Sequence, residues 1–165
     1  MNPFGHSQLC SYNFYCKLIA FKDISIINHN LKKFSLRYVD AYLGIVKDTN
    51  QVVTIEEFVT GSFQKYVNND GVICTSTKDD LQKKAECLVH FSYIKSNKKL
   101  MLADIQGAGH NLTDPEIASL TGAYNDEEHL LFCAGNYSQE ACANFFKAHE
   151  CNAFCNLLGL TSELV

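Results

Sequence analysis

The sequence predicts one α+β domain, and three observations carry that prediction. Two adjoining stretches before residue 60 have strand character, an apolar series after residue 77 has helical spacing, and two further helical segments close the chain. The chain thus combines strand and helix signals. The 165 residues are 47% hydrophobic, enough for one buried core. No internal repeat, low-complexity tract or proline-rich linker divides the chain, and its two prolines are Pro3 and Pro115.

Taken in order, residues 11–27 mix aromatic and aliphatic side chains with Lys17 and Lys22, which fits a helix followed by a short extended piece. From Phe34 to Val46 the chain alternates and is rich in β-branched and aromatic residues. Gln51 to Phe58 repeats that character after the turn residues Asp48, Thr49 and Asn50, so the two stretches read as paired strands. Gly61 and the run from Asn68 to Gly71 mark loops. Lys78 to Tyr93 carries Leu81, Ala85, Leu88 and Phe91 at helical spacing and reads as an amphipathic helix. Lys99 to Ile105 and His129 to Cys133 fit short buried strands. Asn136 or Ser138 can cap the helix whose apolar face is Ala141, Cys142, Phe145 and Phe146, and a last helix runs through Phe154, Leu157 and Leu158 to Gly159.

Composition excludes several function classes. The formal charge is −4 and no basic stripe is present, which argues against a nucleic-acid partner. No run approaches the roughly eighteen apolar residues of a membrane helix, and the N-terminus has no basic region leading into an apolar segment and cleavage site. These features predict a soluble, intracellular, cytoplasmic protein without a membrane partner. The eight cysteines then read as reduced thiols, some buried and some on metal.

Two constellations bear chemistry. The segment from Leu102 to Gly109 ends a strand with Asp104 and Gln106 and then turns on two glycines; Asp114 and Pro115 follow ten residues after Asp104. One loop can therefore gather two carboxylates and an amide oxygen, the hard ligands Mg²⁺ prefers. The alternative is an ordinary polar loop in which Asp114 starts a turn before proline. The second constellation is His149, Cys151 and Cys155, with the cysteines on one helix face and the histidine at the preceding turn. A closed zinc site needs a fourth ligand; His90, at the end of the preceding helix, is the best placed, ahead of Cys142 and His129. Buried thiols beside a surface histidine are the alternative.

The run from Glu56 through Phe58, Gly61, Phe63 and Lys65 to Tyr66, the segment His90 to Tyr93, the segment Asp104 to Gly109, and Cys155 to Leu160 together resemble the alpha-kinases, the atypical protein kinases that include myosin heavy chain kinases and channel-fused kinase domains. The steps of fourteen residues from His90 to Asp104 and ten to Asp114 also look like the family's. Residues 34–160 carry the match and 1–33 form a less closely matched N-terminal segment.

The resemblance implies an atypical kinase-like fold, chiefly the C-terminal lobe with part of the N-terminal one, stabilised by structural zinc on His90, His149, Cys151 and Cys155. It implies ATP- and Mg²⁺-dependent phosphorylation of serine or threonine in a protein. Asp104 would act on the substrate hydroxyl, Gln106 and Asp114 would hold Mg²⁺, Glu56 and Phe58 would contact adenine, and Lys65, Asn69 and Asn136 would lie near the nucleotide.

Two departures qualify this expectation. The family's phosphate-gripping lysine strand has only Lys17 as a stand-in, in a stretch closer to the following helix. The family's glycine-rich loop here reads Cys133 to Ser138, with two expected glycines replaced. An inactive kinase module that acts by protein binding is the alternative these departures imply.

Overall fold

The computed structural model describes residues 35–119 and 137–160. The expected helix over 11–27, the strand over 129–133, Lys17 and Asn136 lie outside them. The described elements are β1 (Arg37–Tyr38), β2 (Ala41–Ile45), β3 (Val52–Glu56), β4 (Phe63–Val67), α1 (Asp80–Lys95), β5 (Leu100–Ala103), β6 (Ile105–Ala108), β7 (Asn111–Thr113), β8 (Glu116–Ser119), α2 (Ser138–Ala148) and α3 (Ala153–Leu157). The class is α+β, as the sequence predicts.

β2 and β3 form the expected antiparallel hairpin, with Ala41 opposite Glu56 and Ile45 opposite Val52. Asn50 takes the left-handed conformation at φ 53°, which asparagine tolerates, and its amide donates to Val46 O at 2.8 Å to close the turn. The strand expected from Phe34 onward is nevertheless divided. Arg37 and Tyr38 leave the hairpin and run parallel to β7, because Leu36, Tyr38 and Val39 are buried there and the Val39 amide donates to Leu112 O. The hairpin itself is largely exposed, with Tyr42, Ile45 and Ile55 open to solvent. Its base is tied down by the Arg37 guanidinium, which reaches Glu57 at 3.2 Å and Asn111 at 2.8 Å.

Helix α1 begins where a cap is available: Asp79 accepts the Gln82 amide at 2.8 Å, an arrangement worth about 1 kcal/mol. Its expected amphipathic character does not hold. Every residue from Lys84 to Tyr93 is buried, because β5, β4 and α3 pack around it. Buried polar side chains on such a helix must find partners. Ser92 does so by donating to Val89 O at 2.7 Å and accepting the Leu102 amide at 2.8 Å, which pins β5 to the helix. The core surrounding α1 includes Tyr66, Val67, Met101, Ile105, Leu112 and Phe145.

Strands β4, β6, β7 and β1 make one sheet, and β5 pairs with β8 in a second. These sheets share a hairpin. The β5–β8 register sets Ala103 opposite Glu116, and continuing it across the gap brings Gln106 opposite Thr113, where β6–β7 begins. One long hairpin is therefore interrupted at a single point, between residues 104–105 and 114–115. β4, whose strand character the sequence reading missed, lies along the outer edge of β6 and places Lys65 opposite Gln106.

Among the described residues no helix is long and apolar enough to cross a membrane.

Candidate active site and metal centre

The interruption in the hairpin is where the predicted catalytic residues meet. Asp104 and Asp114 flank it, and both adopt left-handed backbone conformations, φ 52° and φ 47°. That region is sparsely populated by residues other than glycine, and aspartate is among the few that enter it. Pro115 has no amide to offer a ladder. Pairing therefore stops, and the Asp104 amide turns instead toward Asn68 O at 3.4 Å.

Cross-strand register does the rest. Lys65, Gln106 and Thr113 stand opposite one another on three neighbouring strands, so their side chains share a face. The Lys65 ammonium lies 2.5 Å from Asp104 Oδ1, and the Gln106 amide donates to Asp104 Oδ2 at 2.7 Å. Asp104 is only 7% exposed, so these two partners are what make a carboxylate tolerable there. Gln106 also reaches Asp114 O at 3.5 Å, and the Thr113 hydroxyl donates to Glu56 at the end of β3.

The group carries more negative than positive charge. Burial first, then the charges of Glu56 and Asp104, hold the Asp114 carboxyl above its ordinary value, and Lys65 offsets only part of this. Glu116 is raised in the same way by burial and then by Asp104 and Asp114. A divalent cation placed among these oxygens would relieve that repulsion, and Asp114, exposed at the rim, is accessible to one.

Asn69 occupies a turn that abuts this group, closed by the Gly71 amide on Asn68 O at 3.0 Å. The turn is held from behind by α2. Asn144 donates to Asp70 O at 3.0 Å, and Gly71, at φ 81°, lies so close to the Ala141 carbonyl that a β-carbon would stand 1.9 Å from its oxygen. Glu56 is thus joined to the Asp104 group, and Asn69 sits beside it. Phe58 is 90% exposed beyond the end of β3 and is not drawn against it.

The second constellation also assembles. One ligand atom from each of His90, His149, Cys151 and Cys155 lies within 4.8 Å of the others. Zinc–nitrogen bonds of 2.0–2.1 Å and zinc–sulfur bonds near 2.3 Å give a tetrahedron edges of about 3.3 Å between nitrogens and about 3.6 Å between nitrogen and sulfur. His149 Nε2 and His90 Nδ1 are 3.3 Å apart; Cys151 Sγ is 3.7 Å from His90 Nδ1, and Cys155 Sγ is 3.7 Å from His149 Nε2. The donor set and its spacing fit zinc.

The local structure differs from the sequence reading in two respects. Cys151 precedes α3 rather than sharing a face with Cys155, because Asn152 starts that helix by accepting the Phe154 and Cys155 amides. His90 sits inside α1 rather than at its end, and His149 is the C-cap of α2. The ligands thus come from three elements, and the Asn152 amide fastens the last to α1 through Lys83 O at 2.9 Å.

Three neighbours of the cluster escaped the sequence reading. Glu86, Gln82 and Cys87 all lie on α1 and are all buried. Cys87, His149 and His90 together hold the Cys155 thiol well below its ordinary value despite burial. Glu86 lies four residues before His90, a spacing that puts both on one helix face and was the available clue.

Comparison with known proteins identifies the family. A profile of the alpha-kinase family matches residues 7–155. Human transient receptor potential cation channel subfamily M member 6 is 32% identical over 127 residues, covering 77% of this chain and 6% of that protein. Myosin heavy chain kinase B of Dictyostelium discoideum is 36% identical over 107 residues, covering 65% of this chain and 13% of that protein. Eukaryotic elongation factor 2 kinase of Mus musculus is 32% identical over 107 residues, with the same coverage. The chain thus spans a small part of these relatives. Among solved structures, a catalytic-domain variant of myosin heavy chain kinase A superposes with a TM-score of 0.75 at 22% identity, covering 99% of this chain and 60% of that one. The alpha-kinase domain of the same protein in complex with AMP-PNP gives 0.70 at 24% identity, covering 94% and 59%.

Proposed function

The chain belongs to the alpha-kinase family, and on that premise we propose that it transfers the γ-phosphoryl group of ATP, bound with Mg²⁺, to a serine or threonine hydroxyl of a protein. The observation that carries this reading is the interrupted hairpin, which brings Asp104, Gln106, Asp114 and Lys65 together around one opening. Support comes from the alpha-kinase domain of myosin heavy chain kinase A, which has been solved in complex with ATP, AMP-PNP and ADP. Two aspartate-to-alanine variants of that domain, ten positions apart like Asp104 and Asp114, are inactive, and each holds ATP.

Phosphoryl transfer asks the protein for positioning, charge neutralisation and a proton acceptor. The attacking hydroxyl oxygen forms a bond to the γ-phosphorus while the bond to the β-phosphate oxygen breaks, leaving ADP; the hydroxyl proton passes to Asp104. Both Asp104 oxygens are engaged, Oδ1 by Lys65 and Oδ2 by Gln106. Phosphate charge entering the opening draws the Lys65 ammonium away and frees Oδ1 for the hydroxyl. Gln106, through its amide oxygen, and Asp114 would hold Mg²⁺, which would supply positive charge to neutralise the phosphates. Glu56 and Asn69 would line the nucleotide side, with Phe58 exposed beyond the end of β3 as a contact for the adenine. Zinc on His90, His149, Cys151 and Cys155 would hold α1, α2 and α3 together.

The test is a calorimetric titration of the zinc-loaded chain with ATP and Mg²⁺, followed by transfer of labelled phosphate to a serine- and threonine-rich protein acceptor. ATP binding that no longer depends on Mg²⁺ in Asp114→Ala, with transfer at least 100-fold slower in Asp104→Ala, is the expected result. Binding without transfer would favour a module that acts by contact. No binding by a folded, zinc-replete chain would remove the nucleotide site.

A further inference from the structure

We propose that Glu86 is the positioning residue of the metal centre, fixing the His149 ring so that Nε2 is presented to the ion; this rests on the zinc reading of the four-residue cluster. An imidazole offers a metal only its unprotonated nitrogen, and the partner of the other nitrogen decides which that is. His149 Nδ1 lies 3.1 Å from Glu86 Oε2, and a proton held there leaves the Nε2 lone pair free. Nε2 is also the nitrogen that faces His90 Nδ1 and Cys155 Sγ.

Two further observations show that the arrangement is built. Glu86 is 3% exposed, and the Gln82 amide donates to its other oxygen at 2.9 Å, so the carboxylate is itself held in place. Phe145 stacks on the His149 ring at a centroid distance of 4.7 Å and an interplanar angle of 17°. Stacking fixes the plane of the ring but leaves it free to flip within that plane; the Glu86 bond selects one of the two orientations. A carboxylate in the middle of a helix buried on all sides has no other evident use, since a charge there destabilises unless it is paired.

The test compares zinc affinity, by competition with a chromogenic chelator, in the full chain and in Glu86→Gln and Glu86→Met. Glutamine retains an acceptor for Nδ1–H, whereas methionine fills the same volume and accepts nothing. The expected order is wild type, then Gln within about tenfold, then Met weaker by 10- to 100-fold. Cobalt-substituted protein should show its visible bands displaced in the Met variant and nearly unmoved in the Gln variant, a difference that a packing role would not produce. Equal affinity of Glu86→Met and a zinc-replete wild type would overturn the role of Glu86 alone. A folded wild type that binds no zinc would overturn the metal centre beneath it.

Discussion

Replacing Gly71 by alanine tests whether the turn that carries Asn69 is braced by α2. Three costs act at this position. The backbone is left-handed at φ 81°, which costs an L-residue about 1–2 kcal/mol. The new methyl group would also stand 1.9 Å from the Ala141 carbonyl oxygen and 2.7 Å from its carbon. Backbone cannot swing aside as a side chain does, so the turn and α2 must separate, an overpacking cost of about 1–3 kcal/mol. Separation also strains the Asn144 bond to Asp70 O, worth about 1 kcal/mol.

The sum is roughly 3–6 kcal/mol. Gly109→Ala is the control, because Gly109 has φ 57° but no atom within 4 Å of the added carbon, so only the conformational cost of about 1–2 kcal/mol applies. Urea denaturation of both variants beside the wild type measures the difference. Gly71→Ala should lose at least 1 kcal/mol more than Gly109→Ala and should also bind ATP more weakly, since Asn69 moves with the turn. Equal losses in the two variants would show that the turn does not rest on α2, and the bracing argument would fail.

Other outcomes follow from the site. Cys151→Ala should lose bound zinc and melt at a lower temperature, measured by elemental analysis and calorimetry; unchanged zinc content would remove Cys151 from the ligand set. Lys65→Met should weaken ATP binding about 10- to 100-fold, the worth of a charge-assisted hydrogen bond, and an unchanged titration would exclude contact with the phosphates. Asp114, held above its usual value chiefly by burial and then by Glu56 and Asp104, binds a proton more readily folded than unfolded. Its contribution to stability is therefore present below the unfolded value of 3.8 and is lost as pH rises through the higher folded value. Asp114→Asn should accordingly be more stable than the wild type at pH 7, by a margin that shrinks toward pH 4, while its ATP binding ceases to depend on Mg²⁺; a variant less stable at pH 7 would contradict the sign.

What the sequence disclosed followed from local chemistry. Asp48 to Asn50 announces a turn whatever surrounds it, and the Asn50 amide closes it on Val46 O. His149, Cys151 and Cys155 stand close enough in sequence to be grouped by spacing. The site that tertiary pairing builds was harder to read. Gly107 and Gly109 looked like one loop, yet Gly107 lies within β6, a strand created by its neighbours β4 and β7. Phe63 to Val67, interrupted by Gln64 and Lys65, shows too little alternation to declare β4. Glu86 reads as a solvated helix residue until α1 is seen to be buried on every side, and only then does its position near His149 acquire meaning.

The uninterrupted register on either side of the Asp104–Asp114 gap limits how the chain can change without losing the site. The ten-residue step between the aspartates is a count of rungs, two arms of a hairpin and the Gly109–His110 tip. Deleting one residue from either arm would slip the pairing by one and turn Gln106 or Thr113 to the opposite face, even with both aspartates retained. Adding one residue to each arm, or enlarging the tip, would leave the base of the hairpin as it is. Variation in length should therefore be tolerated in matched pairs or at the tip, and an unmatched change of one residue should silence the site as completely as replacing an aspartate.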